Sequence, residues 1–233
     1  KRWFIDFNFP DENGNPYKDS GGKMIPSELG EIPEGWRIGK LGEISNTTSG
    51  GTPSRKEPSY YNGGTIPWVK SKELCNGYIC STEETITLNG LKKSSAKLLP
   101  ENTILLAMYG ATVGQLAILS KESTCNQAIC AFLPQQEYGT PYTYLLLQNQ
   151  RRNWMELASG SAQQNLSQVT MRNLSILIPP SSLAKEFCSL TEQLWEKIKT
   201  NTQQIQTLTS LRDTLLPKLM KGEIRIKEVD FSN

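Results

Sequence analysis

The strongest constraint on the fold is an unbroken helix-forming stretch from residue 183 to residue 216. Neither Gly nor Pro occurs in it before Pro217, and Ser181 or Ser182 can cap its start. A helix of this length is about 50 Å long, more than the diameter of a small domain. Its heptad a and d positions, with two flanking isoleucines, are Phe187, Leu190, Leu194, Asn201, Leu208, Leu211, Leu215, Ile198 and Ile205. This single stripe predicts pairing with a second helix, in which Asn201 sets the register; the alternative is a helix that lies on its own domain.

Residues 32–180 have a different sequence pattern, in which short apolar runs are separated by Gly, Pro, Asn and Ser. The runs cover 65–69, 78–80, 85–88, 104–108, 113–119, 128–133 and 174–178. Their length and spacing predict short strands of an irregular sheet, whereas 141–158 and 167–173 have the character of helices. We therefore expect an α+β fold, in which a sheet-rich domain over 32–180 is followed by a long helix of the coiled-coil type.

The two ends of the sequence carry less pattern. Residues 1–31 are rich in turn residues and have no apolar periodicity, so they are predicted to form a linker or arm. The aromatic residues within 3–9 must nevertheless be covered by something. Residues 181–226 are expected to hold the long dimerisation helix and a C-terminal region after it, with 227–233 as a tail. Because the first residue is Lys, the sequence is expected to begin inside a longer product or after processing.

The residues that the sequence lacks argue against catalysis. It contains no histidine and no aspartate between Asp19 and Asp213, so the central domain lacks the commonest general base and the carboxylate that nucleases use for Mg²⁺. It also contains no GxxxxGK[ST] loop, no GxGxxG turn and no Asn/Asp-Pro-Pro-aromatic motif of amino-methyltransferases. A binding protein is therefore expected. The alternative is an enzyme that uses Glu or Cys in an unrecognised site.

The cysteines indicate the redox environment. There are five of them, Cys75, Cys80, Cys125, Cys130 and Cys188, and an odd number suits reduced thiols in a cytoplasmic protein better than a disulfide framework. The two Cys-x4-Cys pairs are an alternative zinc site, but their wide spacing in strand-like sequence favours buried free thiols. No apolar run is long enough to cross a membrane, and no charged-then-apolar leader is present.

The positive charge is concentrated in the middle of the chain. Residues 36–178 have thirteen Lys/Arg against nine Asp/Glu, whereas residues 1–35 have four against seven. Loops of this basic region combine hydroxyls, amides and cations that suit phosphates and base edges; the alternative for each is a solvated surface. The candidate DNA contacts are Thr48, Ser49, Thr52, Ser54, Arg55, Lys56, Tyr60, Lys70, Lys72, Arg151, Arg152, Gln163, Gln164 and Asn165.

The loop 47–56 (TTSGGTPSRK) combines most of these features. Its backbone is predicted to be flexible, and its hydroxyls and amides suit phosphate oxygens. Arg55 can reach two acceptors on a guanine edge, and the side-chain amides at 163–165 can pair with adenine.

Several short segments occur in an order that is specific as a set. They are 32–36 (IPEGW), 49–54 (SGGTPS), 66–69 (IPWV), 105–115 (LLAMYGATVGQ), 126–128 (NQA), 159–165 (SGSAQQN), 176–180 (ILIPP) and 215–224 (LLPKLMKGEI). Together they extend over almost all of residues 32–226 and resemble landmarks of the specificity subunit of type I restriction–modification enzymes. Residues 1–7 (KRWFIDF) are similar to the segment that comes after the first shared helix in such subunits.

The resemblance implies a non-catalytic subunit that reads double-stranded DNA. In this family a target-recognition domain, here 32–180, reads bases in the major groove, and a long helix pairs antiparallel with its counterpart to set the distance between two such domains. The family has this unit twice and this sequence has it once. The chain is therefore expected to be the second half of a specificity subunit or a half-sized subunit, which works with a second half or as a homodimer.

The resemblance also implies partners. Methyltransferase subunits that use S-adenosylmethionine and restriction (translocase) subunits that use ATP and Mg²⁺ dock on the assembly, whereas this chain is expected to have no cofactor or metal and no membrane contact. Gly110, Gly114 and the amide pair 126–127 are interpreted as fold-defining. A cytoplasmic location in a prokaryote is expected. The alternative function is a stand-alone DNA-binding regulator, or an anti-restriction decoy, with the same fold.

Overall fold

Short strands and helices alternate in the part of the chain that the computed structural model describes, residues 1–159 and 165–224. The strands are β1 (Met24–Ser27), β2 (Gly30–Pro33), β3 (Arg37–Lys40), β4 (Thr47–Ser49), β5 (Ile66–Val69), β6 (Tyr78–Ile79), β7 (Glu84–Ile86), β8 (Ile104–Ala107), β9 (Leu116–Leu119), β10 (Thr124–Cys125), β11 (Ile129–Phe132) and β12 (Ser175–Ile178). The helices are α1 (Leu41–Ile44), α2 (Leu88–Lys92), α3 (Thr140–Asn149), α4 (Arg151–Ser159), α5 (Gln168–Arg172) and α6 (Ser181–Met220). The expected α+β fold, a sheet-rich domain followed by a long helix, is confirmed.

A five-stranded mixed sheet in the order β4-β11-β8-β9-β6 lies at the centre of the domain. β11 pairs antiparallel with β4 and β8, β8 pairs antiparallel with β9, and β6 pairs parallel with β9. Successive side chains of a strand point to opposite faces. In β8, Ile104 and Leu106 join one hydrophobic cluster, while Leu105 and Ala107 join another. Burial on both faces explains why these strands are continuous apolar runs in the sequence.

The two faces of this sheet are covered differently. One face is covered by helices α3, α4 and α5, the start of α6 and strand β12. Trp154 is fully buried on this side. A three-stranded sheet in the order β10-β5-β7 lies on the other side, where Val69 and Cys125 are buried. Two antiparallel pairs, β12 with β3 and β1 with β2, complete the sheets of the described residues.

The predicted strands and helices are largely confirmed. Strands β5 to β9, β11 and β12 overlap the seven apolar runs, and α5 lies within the predicted 167–173. The predicted helix 141–158 is two helices that break at Gln150. A hydrogen bond spans the break: the Trp154 indole donates to the Leu147 carbonyl at 3.0 Å, one of the carbonyls that a helix end leaves available.

The N-terminal arm packs on the domain, which covers its aromatic residues. Phe9 is buried with Trp36 and Leu183, and Phe4 packs beside them. The ring of Phe4 also lies 5.1 Å from that of Phe187 in α6. Each aromatic side chain that is covered removes about 150–250 Å² of surface from water. The free energy gained by this burial orders the arm although its sequence is rich in turn residues. The arm therefore ties the start of the chain to the start of α6.

Helix α6 continues for 40 residues, about 60 Å at the standard rise per residue. The predicted helix 183–216 is confirmed and is extended past Pro217, which lies one turn from the end. Its first half packs on α3 and β6, with the ring of Trp195 5.4 Å from that of Tyr144. Every residue from 207 to 218 is exposed. In the described residues, no helix has the length and apolar content to cross a membrane.

The apolar stripe of α6 is exposed along most of its length. Its exposed members are Leu190, Leu194, Ile198, Asn201, Ile205, Leu208, Leu211 and Leu215. Phe187 differs from them because it packs against Trp3 and Phe4, and so contributes to the contact between the helix and the arm. The alternative of a helix lying on its own domain therefore describes only the first half of α6.

Candidate nucleic-acid interface

Several loops meet at one end of the central sheet. β4 and β8 end at this edge, and β9 and β11 begin there. β5 of the neighbouring sheet ends at the same place, because the Asn126 amide donates to the Val69 carbonyl and the Gly51 amide donates to the Cys125 carbonyl, both at 2.9 Å. We call loops 50–56, 70–73, 109–115 and 126–128 the loop edge. It brings together segments that are far apart in the sequence.

Two glycines fix the loop 50–56 to the domain. A Cβ on Gly50 would lie 2.2 Å from the carbonyl oxygen of Cys125, and a Cβ on Gly51 would lie 2.4 Å from the amide nitrogen of Ala96. The indole of Trp68 also donates to the Gly51 carbonyl at 2.9 Å. The close approach of neighbouring backbones explains why glycine occupies both positions.

Three of the predicted cations form one ion-pair network with Glu83 and Glu84. Arg55 Nη1 lies 2.6 Å from Glu84, and Lys70 Nζ lies 2.7 Å from each of the two carboxylates. Lys72 Nζ lies 2.7 Å from Glu83. Hydrogen bonds from Arg55 and Lys70 lower the pKa of Glu84 to about 2, so this carboxylate stays ionised at neutral pH. The cations were predicted from the sequence, whereas the carboxylates that hold them were not.

Two of the predicted hydroxyl contacts are bonded to amide side chains. Ser49 Oγ donates to Gln168 Oε1 at 3.3 Å, and the Thr52 hydroxyl donates to the Gln127 side chain. Gln168 Nε2 also donates to the hydroxyl of Thr47 at 2.7 Å. These bonds hold both sides of the Gly-Gly pair, so the polar groups at the loop edge have defined positions before any ligand binds.

A basic surface lies beside the loop edge. Lys97 Nζ donates to the hydroxyl of Thr48 at 2.7 Å. Helix α2 packs on the turn Pro58–Tyr60, and Tyr60 is half-buried there. We define the basic surface as the exposed cations Lys56, Lys92, Lys93 and Lys97; Ser54 is exposed close to Lys56 in the sequence. Three of these lysines were not predicted as contacts. All three occur within residues 92–97, and this cluster of positive charge was the sequence signal that could have indicated a contact with DNA.

Asn165 also lies at the loop edge. Asn165 forms an isolated β-bridge with Tyr109, whose ring is exposed at the end of β8. The predicted contacts Gln163 and Gln164 lie outside the described residues. Tyr109 was not among the predicted contacts, because it follows a buried strand without any polar pattern.

Arg151 and Arg152 lie at the start of α4, where both are exposed. A Cβ on Gly114 would lie 3.6 Å from Arg151 Cγ, so Arg151 is beside the loop 109–115. Gly110 and Gly114 have φ angles of 68° and 75°. Because side chains other than Gly rarely adopt such angles, the interpretation of these two glycines as fold-defining is confirmed.

The cysteines are free thiols, but the prediction that both Cys-x4-Cys pairs are buried is wrong for Cys75. Cys80, Cys125 and Cys130 are buried, whereas Cys75 is exposed and Cys188 is half-buried. Burial raises the pKa of Cys125 to about 12, which keeps this sulfur protonated and poorly nucleophilic. Within residues 1–159 and 165–224, no three His, Cys, Asp or Glu side chains cluster so that they could hold a metal.

Comparison with known proteins identifies the family of this fold. The model of the type I restriction modification DNA specificity domain matches residues 33–210. The chain belongs to this family. The match includes the loop edge, the basic surface and the first half of α6.

Relatives in the specificity domain family are specificity subunits of type I restriction enzymes. The chain is 30% identical to the MjaIX specificity subunit of Methanocaldococcus jannaschii, over 98% of this chain and 52% of the relative. It is 31% identical to the HindI specificity subunit of Haemophilus influenzae, over 87% of this chain and 47% of the relative. The chain thus spans about half the length of these curated relatives.

Solved structures of this family have the same fold. The S subunit of a type I restriction-modification system from M. genitalium matches 80% of this chain and 46% of its own, with a TM-score of 0.58 and 18% identity. The HsdS subunit of Thermoanaerobacter tengcongensis matches 85% of this chain and 48% of its own, with a TM-score of 0.56 and 15% identity. This specificity domain is therefore similar in architecture to one half of those proteins.

Proposed function

We propose that this specificity domain reads one half of a split target in double-stranded DNA and performs no chemistry itself. The observation that carries the proposal is the loop edge. Loops from two sheets meet there with preset cations, hydroxyls and amides, the groups that contact phosphates and base edges. The basic surface beside it supplies positive charge for the DNA backbone. In the family, loops of this kind would vary the recognised sequence while the sheets keep them in place.

The second part of the proposal concerns α6. Its exposed stripe would pair with the corresponding helix of a second specificity half or of a second copy of this chain. Because the stripe is carried by a helix of about 60 Å, the length of the paired region would set the separation of the two recognition domains. A single domain reads one half-site, and the pair reads both halves across a fixed gap.

The third part concerns the partners. Methyltransferase subunits would supply S-adenosylmethionine chemistry, and restriction subunits would supply ATP- and Mg²⁺-dependent translocation and cleavage. The described residues of this chain offer no histidine and no metal cluster for such steps. Its contribution would be to place those subunits on a chosen sequence in the cytoplasm of a prokaryotic cell.

Replacing Lys92 and Lys93 by Gln tests the contact of the basic surface with phosphates. We expect affinity for duplex DNA to fall and the slope of log K against log salt concentration to decrease by about 0.9 per lost phosphate contact. Binding titrations by fluorescence anisotropy between low and moderate salt measure this slope. Lys18→Gln, an exposed lysine of the N-terminal arm, is the matched control and should leave the slope unchanged. Equal slopes for wild type and the Lys92/Lys93 variant would remove these residues from the interface.

A further inference from the structure

Tyr61 and Trp68 form an aromatic cradle around Arg55. This cradle supports an inference that rests on the proposed function and makes it more specific. We infer that Arg55 recognises a guanine base in the major groove of the half-site and that Glu84 is the positioning residue that orients it. Arg55 would be one specificity-determining residue of this domain. The recognised base, and not the phosphate backbone, would be its partner.

The position of Arg55 is determined from three sides. Its guanidinium carbon lies 4.3 Å from the ring centroid of Tyr61 and 5.0 Å from that of Trp68. Glu84 accepts a hydrogen bond from Nη1 at 2.6 Å. An arginine held in this way loses little conformational freedom when it binds, so it discriminates more sharply than a mobile side chain.

The walls of the cradle are themselves fixed. The Tyr61 hydroxyl donates to the Pro53 carbonyl at 2.6 Å, and the Trp68 indole donates to the Gly51 carbonyl at 2.9 Å. Trp68 is buried and belongs to β5. A reading residue that is supported by such a second layer keeps its geometry to within fractions of an ångström.

The charges around Arg55 favour a base over a phosphate. Glu83 and Glu84 are ionised and lie in the same network, so a phosphate brought to Arg55 would also meet two carboxylates. Lys70 is only 17% exposed at its side chain and donates to both carboxylates, which leaves it little capacity for DNA. A neutral base edge does not suffer this repulsion.

The hydrogen-bonding capacity of Arg55 identifies the base. The bond to Glu84 uses one of the five guanidinium N–H groups, and the side chain is still 53% exposed. The remaining donors form a fork, and guanine is the base that presents two acceptors, O6 and N7, in the major groove. Arginine paired with guanine in this way is the commonest specific contact between proteins and DNA.

The test uses the full-length protein with its methylating partner and a pool of randomised duplexes. Wild type should select a motif with guanine at one position that Arg55→Lys and Glu84→Gln both relax, Arg55→Lys by about tenfold or more. Replacing that guanine by 7-deazaguanine, which lacks the N7 acceptor, should weaken wild-type binding without any change to the protein. Lys56→Gln is the control, since this exposed neighbour should change affinity and salt dependence but not the motif.

The outcomes separate this inference from the proposed function. If wild type selects no motif, the proposed function fails and the inference fails with it. If wild type selects a motif that both Arg55→Lys and 7-deazaguanine leave unchanged, only the reading role of Arg55 is overturned. A loss of salt dependence with an unchanged motif would assign Arg55 to a phosphate. Thermal unfolding of each variant checks that the domain still folds. The 7-deazaguanine test uses wild-type protein, so its result holds even where a variant does not fold.

Discussion

Replacing Leu208 by Glu is expected to disrupt pairing through α6. Leu208 is 65% exposed in the C-terminal half of the stripe, where the domain does not cover the helix. Burial of a leucine stabilises an interface by about 1.5–3 kcal/mol, and the variant would instead bring carboxylates into an apolar seam. We expect pairing to weaken by about 100-fold or more, since each 1.4 kcal/mol is a factor of ten. Leu194→Glu should have the same effect.

Light scattering over a range of concentrations measures this result. Wild type is expected to associate, and both glutamate variants are expected to be monomers with unchanged circular dichroism. Gln203→Glu is the matched control. Gln203 is exposed and lies about 140° around the helix from Leu208, so this substitution adds the same charge away from the stripe. A wild-type chain that stays monomeric at high concentration, alone and with its second half, would contradict the pairing proposal.

Replacing Gly50 by Ala is expected to destabilise the domain strongly. The new Cβ would lie 2.2 Å and 2.3 Å from the carbonyl oxygens of Cys125 and Asn126, and both are backbone atoms that cannot rotate away. Overpacking of this kind costs about 1–3 kcal/mol, and we expect the upper end, since the loop between β4 and the basic surface must shift. The same displacement should weaken DNA binding under conditions where the variant remains folded.

Urea unfolding of Gly50→Ala beside Gly77→Ala makes the comparison. A Cβ on Gly77 would have no heavy atom within 4 Å, and its φ is not in the left-handed region. We expect the free energy of unfolding of the Gly77 variant to stay within about 0.5 kcal/mol of wild type. Equal stability of the two variants would show that the Gly-Gly pair is not the anchor of the loop.

The elements that the sequence predicts well have local causes. α6 is predicted because one stripe repeats without Gly or Pro, and its length needs no knowledge of the domain. β8, β9 and β11 are predicted because burial on both faces makes them apolar runs bounded by turn residues. Gly110 and Gly114 follow from the tight turn between β8 and β9.

The features that the sequence did not predict depend on distant partners. The arm 1–31 is ordered by Trp36 and by residues of α6, which its own turn-rich sequence does not reveal. Arg55 was predicted as a DNA contact from the sequence, but its partner Glu84, 29 residues away, is brought to it only by the pairing of β5 and β7. Lys92, Lys93 and Lys97 were not among the predicted contacts because no motif surrounds them, and their proposed role depends on where α2 packs.

Genome-wide mapping of methylated bases tests the central proposal most directly. The host would express this chain, in its natural full-length form, with its candidate methylating subunit. We predict a new split motif that is methylated only when the chain is present, and a palindromic motif if two copies of this domain work together. An active, copurifying methylating subunit whose methylated sequences are the same with and without the chain would contradict the proposal.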